Sequence, residues 1–530
     1  MLKRFKKIYN PINKLILPCL AFSMITGIFS ALIITGFKIL AEFAVHTSGT
    51  VYEAVRSNPI WLPLLVIGAA VIGLLASLIL SISHSCKGGG IPTSVAAIRG
   101  IFSFKWIEGI VLLPVSALMT FFVGLPLGTE GPCVQMGTAV GNGVMKIFGK
   151  ERHKGWRRYV MTGGASAGFS IATASPISAI IFAMEELHKH FSPVLLIVAS
   201  VSVITAQITA RALASVGIGD LEFFHLPRID AIPPALYIAP IVVGIVTGIC
   251  SILFTRLFYV VDKFMRVLLK KFSTRLVLPV LFAIVSIVGF FFAGSLSSGH
   301  SLVHSLFTPG TAWYILILLF LVRAIGMTVC NTSGATGGVF LPTLAFGAII
   351  GALCADVMIA IGLMGSEHYL IVVVLGIVSF LGATSRIPLT ACVFGIEALG
   401  GISNVLPIII STTVSLLIVE ASGLEDLTDA IIEAKIHKIT KGKISTDVEV
   451  PLTVKKNSFA VGKELRDILW PNSCVVISFN RARYSKDHGA ISEGDVITVR
   501  YITYDPEATA RQLTDLVGEQ SEETVKIMMP

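Results

Sequence analysis

Two acidic residues embedded in apolar sequence are the groups through which this chain could do chemistry. Glu130 stands in Gly128-Thr-Glu-Gly-Pro132, and Glu186 closes Pro176-Ile-Ser-Ala-Ile-Ile-Phe-Ala-Met-Glu-Glu186. A carboxylate at a helix start is an anion tethered where a mobile anion would bind. It competes for that place and gives it up on protonation, and the two properties together make a gate. Glu186 ends an apolar helix, where an ionisable group is costly, and intramembrane carboxylates of this kind commonly serve proton relays. Its neighbour Glu185 reads instead as a structural group that caps a helix turn or pairs locally.

Three glycine-rich segments accompany these acids: Gly88-Gly-Gly-Ile-Pro92, the Glu130 motif, and Gly337-Gly-Val-Phe-Leu-Pro342. Each sets glycines ahead of an expected helix start, where free amides and the positive end of the helix dipole can approach a ligand. That chemistry suits an anion and needs no lysine or arginine, so release stays fast. Val339 and Phe340 would offer amides to such an anion, and the weakly positive ring edge of Phe340 can face it. Close helix packing is the competing explanation for the glycines. The sequence shows neither a nucleophile-base pair nor a metal cluster, and no TVGYG-like run, which argues against an enzyme and a potassium pore. The eight cysteines are scattered without a CxxC pair and read as small apolar residues.

A repeat must position these groups. Pro132, Gly137 and Gly141 recur with identical spacing as Pro342, Gly347 and Gly351. Downstream, Gly164, Pro176, Ala179, Phe182, Glu185 and Leu187 recur as Gly376, Pro388, Ala391, Phe394, Glu397 and Leu399 after a two-residue shift. Glu130 thereby falls opposite Phe340, and Glu186 opposite Ala398. Paired units with Gly- and Pro-interrupted helices point to a transport pathway at their interface. The repeats are expected at about 15–260 and 276–435.

Mean hydropathy is +0.83, with 54% hydrophobic and 14% charged residues, far from soluble averages. Apolar runs at 15–39, 61–82, 107–127, 231–260, 276–293, 314–329 and 369–381 include several near membrane-spanning length and several shorter. The basic start Met1–Lys7 precedes an apolar run without a cleavage pattern, so an uncleaved first helix with a cytoplasmic N-terminus is expected. Basic clusters at Lys146, Lys150, Arg152, Lys154, Arg157 and Arg158, and at Lys263, Arg266, Lys270, Lys271 and Arg275, read as cytoplasmic loops. The net charge of +9 then reports topology and lipid headgroups, with no nucleic-acid partner required. Near residue 440 the composition turns polar. Alternation in Cys474–Ser478 and Asp495–Tyr501, with a helical stretch near Lys463–Leu469, indicates a small α+β domain.

The three motifs in this order, together with Cys330-Asn-Thr-Ser-Gly-Ala-Thr-Gly-Gly-Val-Phe-Leu-Pro342 and the segment ending at Glu186, closely resemble the CLC family of chloride channels and proton-coupled chloride transporters, over roughly residues 10–435. The resemblance implies an inverted repeat of tilted and broken helices and a homodimer with one pore per subunit; an inner-membrane location is expected, and the tail described below suggests a bacterial protein. It makes Glu130 the external gate and outer proton carrier and Glu186 the internal proton acceptor. Gly89, Gly90, Ile91, Val339, Phe340 and Thr428 fall at anion-contacting positions. Gly89 replaces a frequent serine and Thr428 an inner-gate tyrosine, which leaves a passive gated channel as the alternative to chloride/proton exchange; a cation transporter ranks lower. Nitrate and bromide are plausible co-substrates. The tail, from 446, resembles the TrkA-C type of regulatory domain in Phe459–Pro471, Val475–Ser478 and Glu493–Val499, which implies dimerisation and a small regulatory ligand. No cofactor or metal is expected, only chloride and protons as cargo.

Overall fold

The computed structural model describes residues 17–88, 90–149, 155–219, 223–224, 226–227, 229–439, 446–456, 458–471, 474–482, 490–503, 506–518 and 526–528. The basic N-terminal run, Gly89 and the centre of the first basic loop lie outside them. The first set of helices is α1 (Leu17–Ser57), α2 (Leu62–Ile82), α3 (Ile91–Ile98), α4 (Leu113–Val123), α5 (Glu130–Phe148), α6 (Arg157–Thr173), α7 (Pro176–Phe182) and α8 (Pro193–Ser215). The second is α9 (Ile238–Lys271), α10 (Thr274–Phe291), α11 (His300–Ser305), α12 (Trp313–Ser333), α13 (Phe340–Ala360), α14 (Tyr369–Ser385), α15 (Pro388–Glu397) and α16 (Val405–Ala421), followed by α17 (Leu427–Ile439). Among the described residues nine helices are long and apolar enough to cross a membrane, and α4, α7 and α15 are shorter apolar pieces.

The two sets match helix for helix. α1 packs on α8 as α9 packs on α16, and α5 on α6 as α13 on α14. The second set therefore opens at α9, inside the stretch that the sequence assigned to the first repeat. The boundary falls between 215 and 238, because α9 is one apolar helix whose basic end, with Arg266 paired to Asp262 at 2.8 Å, belongs to the first helix of the second set. Small residues let the paired helices cross closely: Gly137 lies on the backbone of Gly164, and Gly347 on that of Gly376. Proline stands in the first turn of α3, α4, α7, α8 and α15, where its missing donor costs nothing.

The tail forms a four-stranded antiparallel sheet in the order β2 (Cys474–Asn480), β3 (Val496–Thr503), β1 (Thr446–Thr453), β4 (Lys526–Met528), with α18 (Pro506–Val517) joining β3 to β4. Val448, Val450 and Leu452 of β1 alternate inward with Ile497, Val499 and Tyr501 of β3, and Leu513 and Leu516 of α18 share their core. The expected helix near 463–469 is only the 3₁₀ turn Leu465–Asp467.

This sheet does not hang free of the helices. Trp156, Tyr159 and Phe459 form an aromatic set with centroids 4.9–5.6 Å apart. The Tyr159 hydroxyl donates to the Asp467 carbonyl and accepts from the Leu469 amide at 3.1 Å. Arg158, which the sequence read as a topology charge, donates to Ile98 O at the end of α3 (2.5 Å) and to Leu469 O of the tail (2.7 Å).

Lys463 is buried in the same contact, with Nζ 2.6 Å from Phe459 O, 3.3 Å from the Phe459 ring centroid and 4.7 Å from that of Trp156. Burial lowers its ammonium from the usual 10.5 to about 7, against the opposing pull of Cys19 on α1 and Asp467. The folded state thus holds this proton less tightly than the unfolded chain. The charged form counts fully against the fold below pH 7, and stability rises as pH climbs from about 7 toward 10.5. Lys463→Met is expected to stabilise the protein by on the order of 2 kcal/mol at pH 6 and to flatten that slope. Thermal melts of detergent-purified protein at pH 6, 7.5 and 9 check this.

Candidate functional site

The three glycine-rich segments meet at their backbones. Gly128 and Gly338 exchange both hydrogen bonds, each N–H to the other's carbonyl at 2.7 Å, as an isolated antiparallel bridge. A Cβ on Gly131 would stand 2.6 Å from Gly338 Cα, and one on Gly90 would stand 2.7 Å from Gly131 Cα. Gly90 also has φ +123°, a conformation open to glycine and hardly to other residues. The N-termini of α3, α5 and α13 are therefore held together backbone to backbone at these glycines, and their first-turn amides and dipoles converge.

Glu130 is the first residue of α5, 1% exposed. Its Oε1 accepts from the Thr129 hydroxyl at 3.1 Å, the Leu341 amide of α13 faces the carboxylate, and Oε2 has no hydrogen-bond partner among the described residues. The side chain folds back over Gly128, where a Cβ would collide with Oε2 and stand 3.3–3.4 Å from Leu341 and Pro342. The carboxylate thus occupies the space between the first turns of α5 and α13.

Phe340 opens α13 and is buried, its ring edge-to-face with Phe169 (5.1 Å) and Phe394 (5.7 Å). Val339 is the residue preceding that helix, and Ile91 opens α3. The Gly90 amide is not free for a ligand: it donates to Gln135 Oε1 at 2.7 Å, while Gln135 Nε2 donates to Ser85 O at 2.9 Å. Gly89 lies outside the described residues, so its backbone and the missing serine hydroxyl are not part of this geometry.

Glu186 lies 2% exposed in a π-helical turn, Ala183–His188, that prolongs α7. Such turns recur at functional sites. Its carboxylate lies beside Thr428 of α17, and Oε2 has no hydrogen-bond partner among the described residues. The structure thus brings together Glu186 and Thr428, and separately Glu130 with Val339 and Phe340. Among the described residues both acids keep a buried oxygen without a donor, a costly state that a transferable proton or ion relieves.

A sequence profile described as voltage gated chloride channel matches residues 68–420. The chain belongs to this family. Relatives include the H(+)/Cl(-) exchange transporter ClcA of Vibrio campbellii, 26% identical over 414 residues, which cover 76% of this chain and 86% of that protein. ClcA of Vibrio vulnificus is 27% identical over 427 residues, covering 78% and 88%. Among solved structures, a slow cyanobacterial Cl-/H+ antiporter superposes with a TM-score of 0.71 at 21% identity, covering 79% of this chain and 98% of that one. A CLC-type fluoride/proton antiporter gives 0.63 at 18% identity, covering 77% and 96%. At those identities the likeness is one of fold: an α-helical polytopic membrane protein of CLC type, among transporters and channels and not enzymes.

Family membership gives the repeat contacts their meaning. Glu185 is a structural acid, as its type suggested, but it acts at long range: it accepts from the amides of Leu389 (3.0 Å) and Thr390 (2.7 Å) and from the Thr390 hydroxyl (2.7 Å), capping α15. Its counterpart Glu397 accepts from the amides of Ile177 and Ser178, both at 3.0 Å, capping α7. Reciprocal contacts of this kind are what a two-fold relation between the halves produces. Glu185→Ala leaves two amides at the start of α15 without an acceptor and is expected to cost about 1–3 kcal/mol. Thermal melting in detergent reads it, with Glu397→Ala losing a similar amount.

Gln135 and Arg99 are the residues that motif reading missed. Gln135 is one and a half turns into α5, and only its place on the face toward α3 could have marked it. Arg99 directly follows α3, and its Nη2 and Nε donate to Glu186 O (2.9 Å) and Leu187 O (3.0 Å).

Proposed function

We propose that this protein exchanges chloride for protons across a membrane, with Glu130 as the gate and outer proton carrier and Glu186 as the inner proton acceptor. The observation that carries this reading is the lodging of the Glu130 carboxylate between the N-termini of α5 and α13, at the meeting of the three glycine segments, where an anion would otherwise be held. Protonation removes its charge and its claim on that place. Glu186, a second buried acid in a functional type of turn, supplies the other proton station and disfavours a passive channel. Chloride as the anion is supported by the names of the sequence relatives, the H(+)/Cl(-) exchange transporters.

Ile91, Val339 and Phe340 would present first-turn amides to the anion, with Thr428 at the inner end of the route. Gly90 serves by keeping the segments close, and Gly89 keeps the anion role that the resemblance gives it. In this proposal the protein works as a homodimer in a bacterial inner membrane, its N-terminus and tail in the cytoplasm, and residues 446–530 are a regulatory domain of TrkA-C type. Purified protein in liposomes tests the central claim: an imposed chloride gradient is expected to drive protons uphill. Chloride flux without proton movement would overturn it.

A further inference from the structure

Lys189 is a lysine in a glycine's position. It caps the turn that carries Glu186 with φ +51° and ψ +32°, a left-handed conformation in which helices usually place glycine. Non-glycine residues persist there when their surroundings hold them. Here the hold is ionic: Lys189 Nζ reaches Asp426 Oδ2 at 2.5 Å and also pairs with Asp429 Oδ2.

The two aspartates bracket the start of α17. Asp426 is buried and caps that helix, its Oδ1 accepting from the Asp429 amide at 2.7 Å. Thr428, which meets Glu186, lies between them. The strip 426–429 is therefore tied to the strip 186–189 by the aspartates on Lys189, and this sets Thr428 beside Glu186. Arg99 closes the third side, with Nη1 3.3 Å from Asp429 Oδ1 while the same guanidinium holds the carbonyls of Glu186 and Leu187. A cleft of about 600 Å³ opens on this cluster, lined by Arg99, Lys189, Asp426 and Asp429 with Glu185 and Glu425.

We propose that Lys189 is a positioning residue of the inner gate: by clasping Asp426 and Asp429 it seats Thr428 on Glu186 and closes the way from the cleft to the pathway. The clasp sets two cations, Lys189 and Arg99, against two aspartates. When the clasp is broken, α17 lifts, Thr428 leaves Glu186, and anions pass the inner end without waiting for proton transfer. The coupling of protons to chloride is lost before the flux of chloride is. This inference rests on the exchange reading.

Proteoliposomes test it. In Lys189→Met the protons moved per chloride are expected to fall about two- to fivefold, the factor that a half-exposed ion pair carries, with chloride flux retained. Lys189→Gly should do the same, and glycine suits the left-handed backbone, so misfolding does not explain the loss. Lys189→Arg restores the ratio. An unchanged ratio in Met and Gly variants, or an equal loss in Arg, overturns the proposal. The second readout is independent of protons: the rate at which a hydrophilic thiol reagent modifies Thr428→Cys, compared with and without Lys189→Met. An increase of about fivefold or more supports the clasp, and an unchanged rate sinks it even if the unmodified protein turns out to move no protons.

Discussion

Glutamine in place of Glu130 is expected to lower proton flux at least ~100-fold, the scale on which positioned acid-base groups act, while chloride continues to flow. The amide keeps the shape of the side chain and its contact with Thr129, but it has no charge with which to compete at the start of α13 and no proton to deliver. Chloride flux should also lose its dependence on pH. Glu186→Gln is expected to match the proton loss while keeping a pH-dependent chloride flux, because the competing carboxylate is still present. If Glu130 only capped its own helix, the change would cost about 1 kcal/mol of stability and leave both fluxes alone. Chloride and proton flux, measured together on one preparation, separate the outcomes.

Alanine at Gly131 should stop both fluxes. The added Cβ would stand 2.6 Å from Gly338 Cα and 3.2 Å from its nitrogen and from Gly90 Cα. All three neighbours are backbone, so no side chain can swing aside and the segments must part. Displacing oriented groups by about 1 Å commonly costs 10²-fold in rate, and a fall of that order in chloride flux is expected. Gly36→Ala is the control: its Cβ would meet nothing within 4 Å, and in α1 it should add up to about 1 kcal/mol of helix stability without touching transport. Chloride efflux and melting temperature of the two variants, side by side, give the answer. Normal flux in Gly131→Ala would mean that the close meeting of the segments is dispensable.

Much of this site was legible because the repeat writes the same spacing twice. Glu130 and Phe340 are both fixed by short-range pattern, and each starts the helix that the pattern implies. The membrane helices were legible for a similar reason, since apolar length speaks without partners. Contacts closed over long separations were not. Nothing local says that Gly90 donates to Gln135, or that Lys189 reaches Asp426 and Asp429 across more than two hundred residues. That Arg158 also binds the carbonyls of Ile98 and Leu469 could not be read from a basic loop, which looks alike whatever its charges contact. The repeat boundary was missed because α9 shares no motif with α1, only a packing position. In the tail, the alternation of β2 and β3 was readable, whereas β1 and α18 emerged only with the sheet.

The crossed acids Glu185 and Glu397 bear on how such a chain is made. The first amides of α7 wait for a carboxylate that is synthesised some 220 residues later, and those of α15 donate to one already in the membrane. During synthesis the first half must therefore sit in the bilayer with a helix end unfinished, sheltered by water or by the insertion machinery, since lipid offers it no acceptor. Each half is thus expected to depend on the other for a finished helix end. Two separately expressed halves should accumulate poorly alone and rescue one another when made together, and the nascent chain is most open to quality-control proteolysis between the emergence of α7 and that of α15.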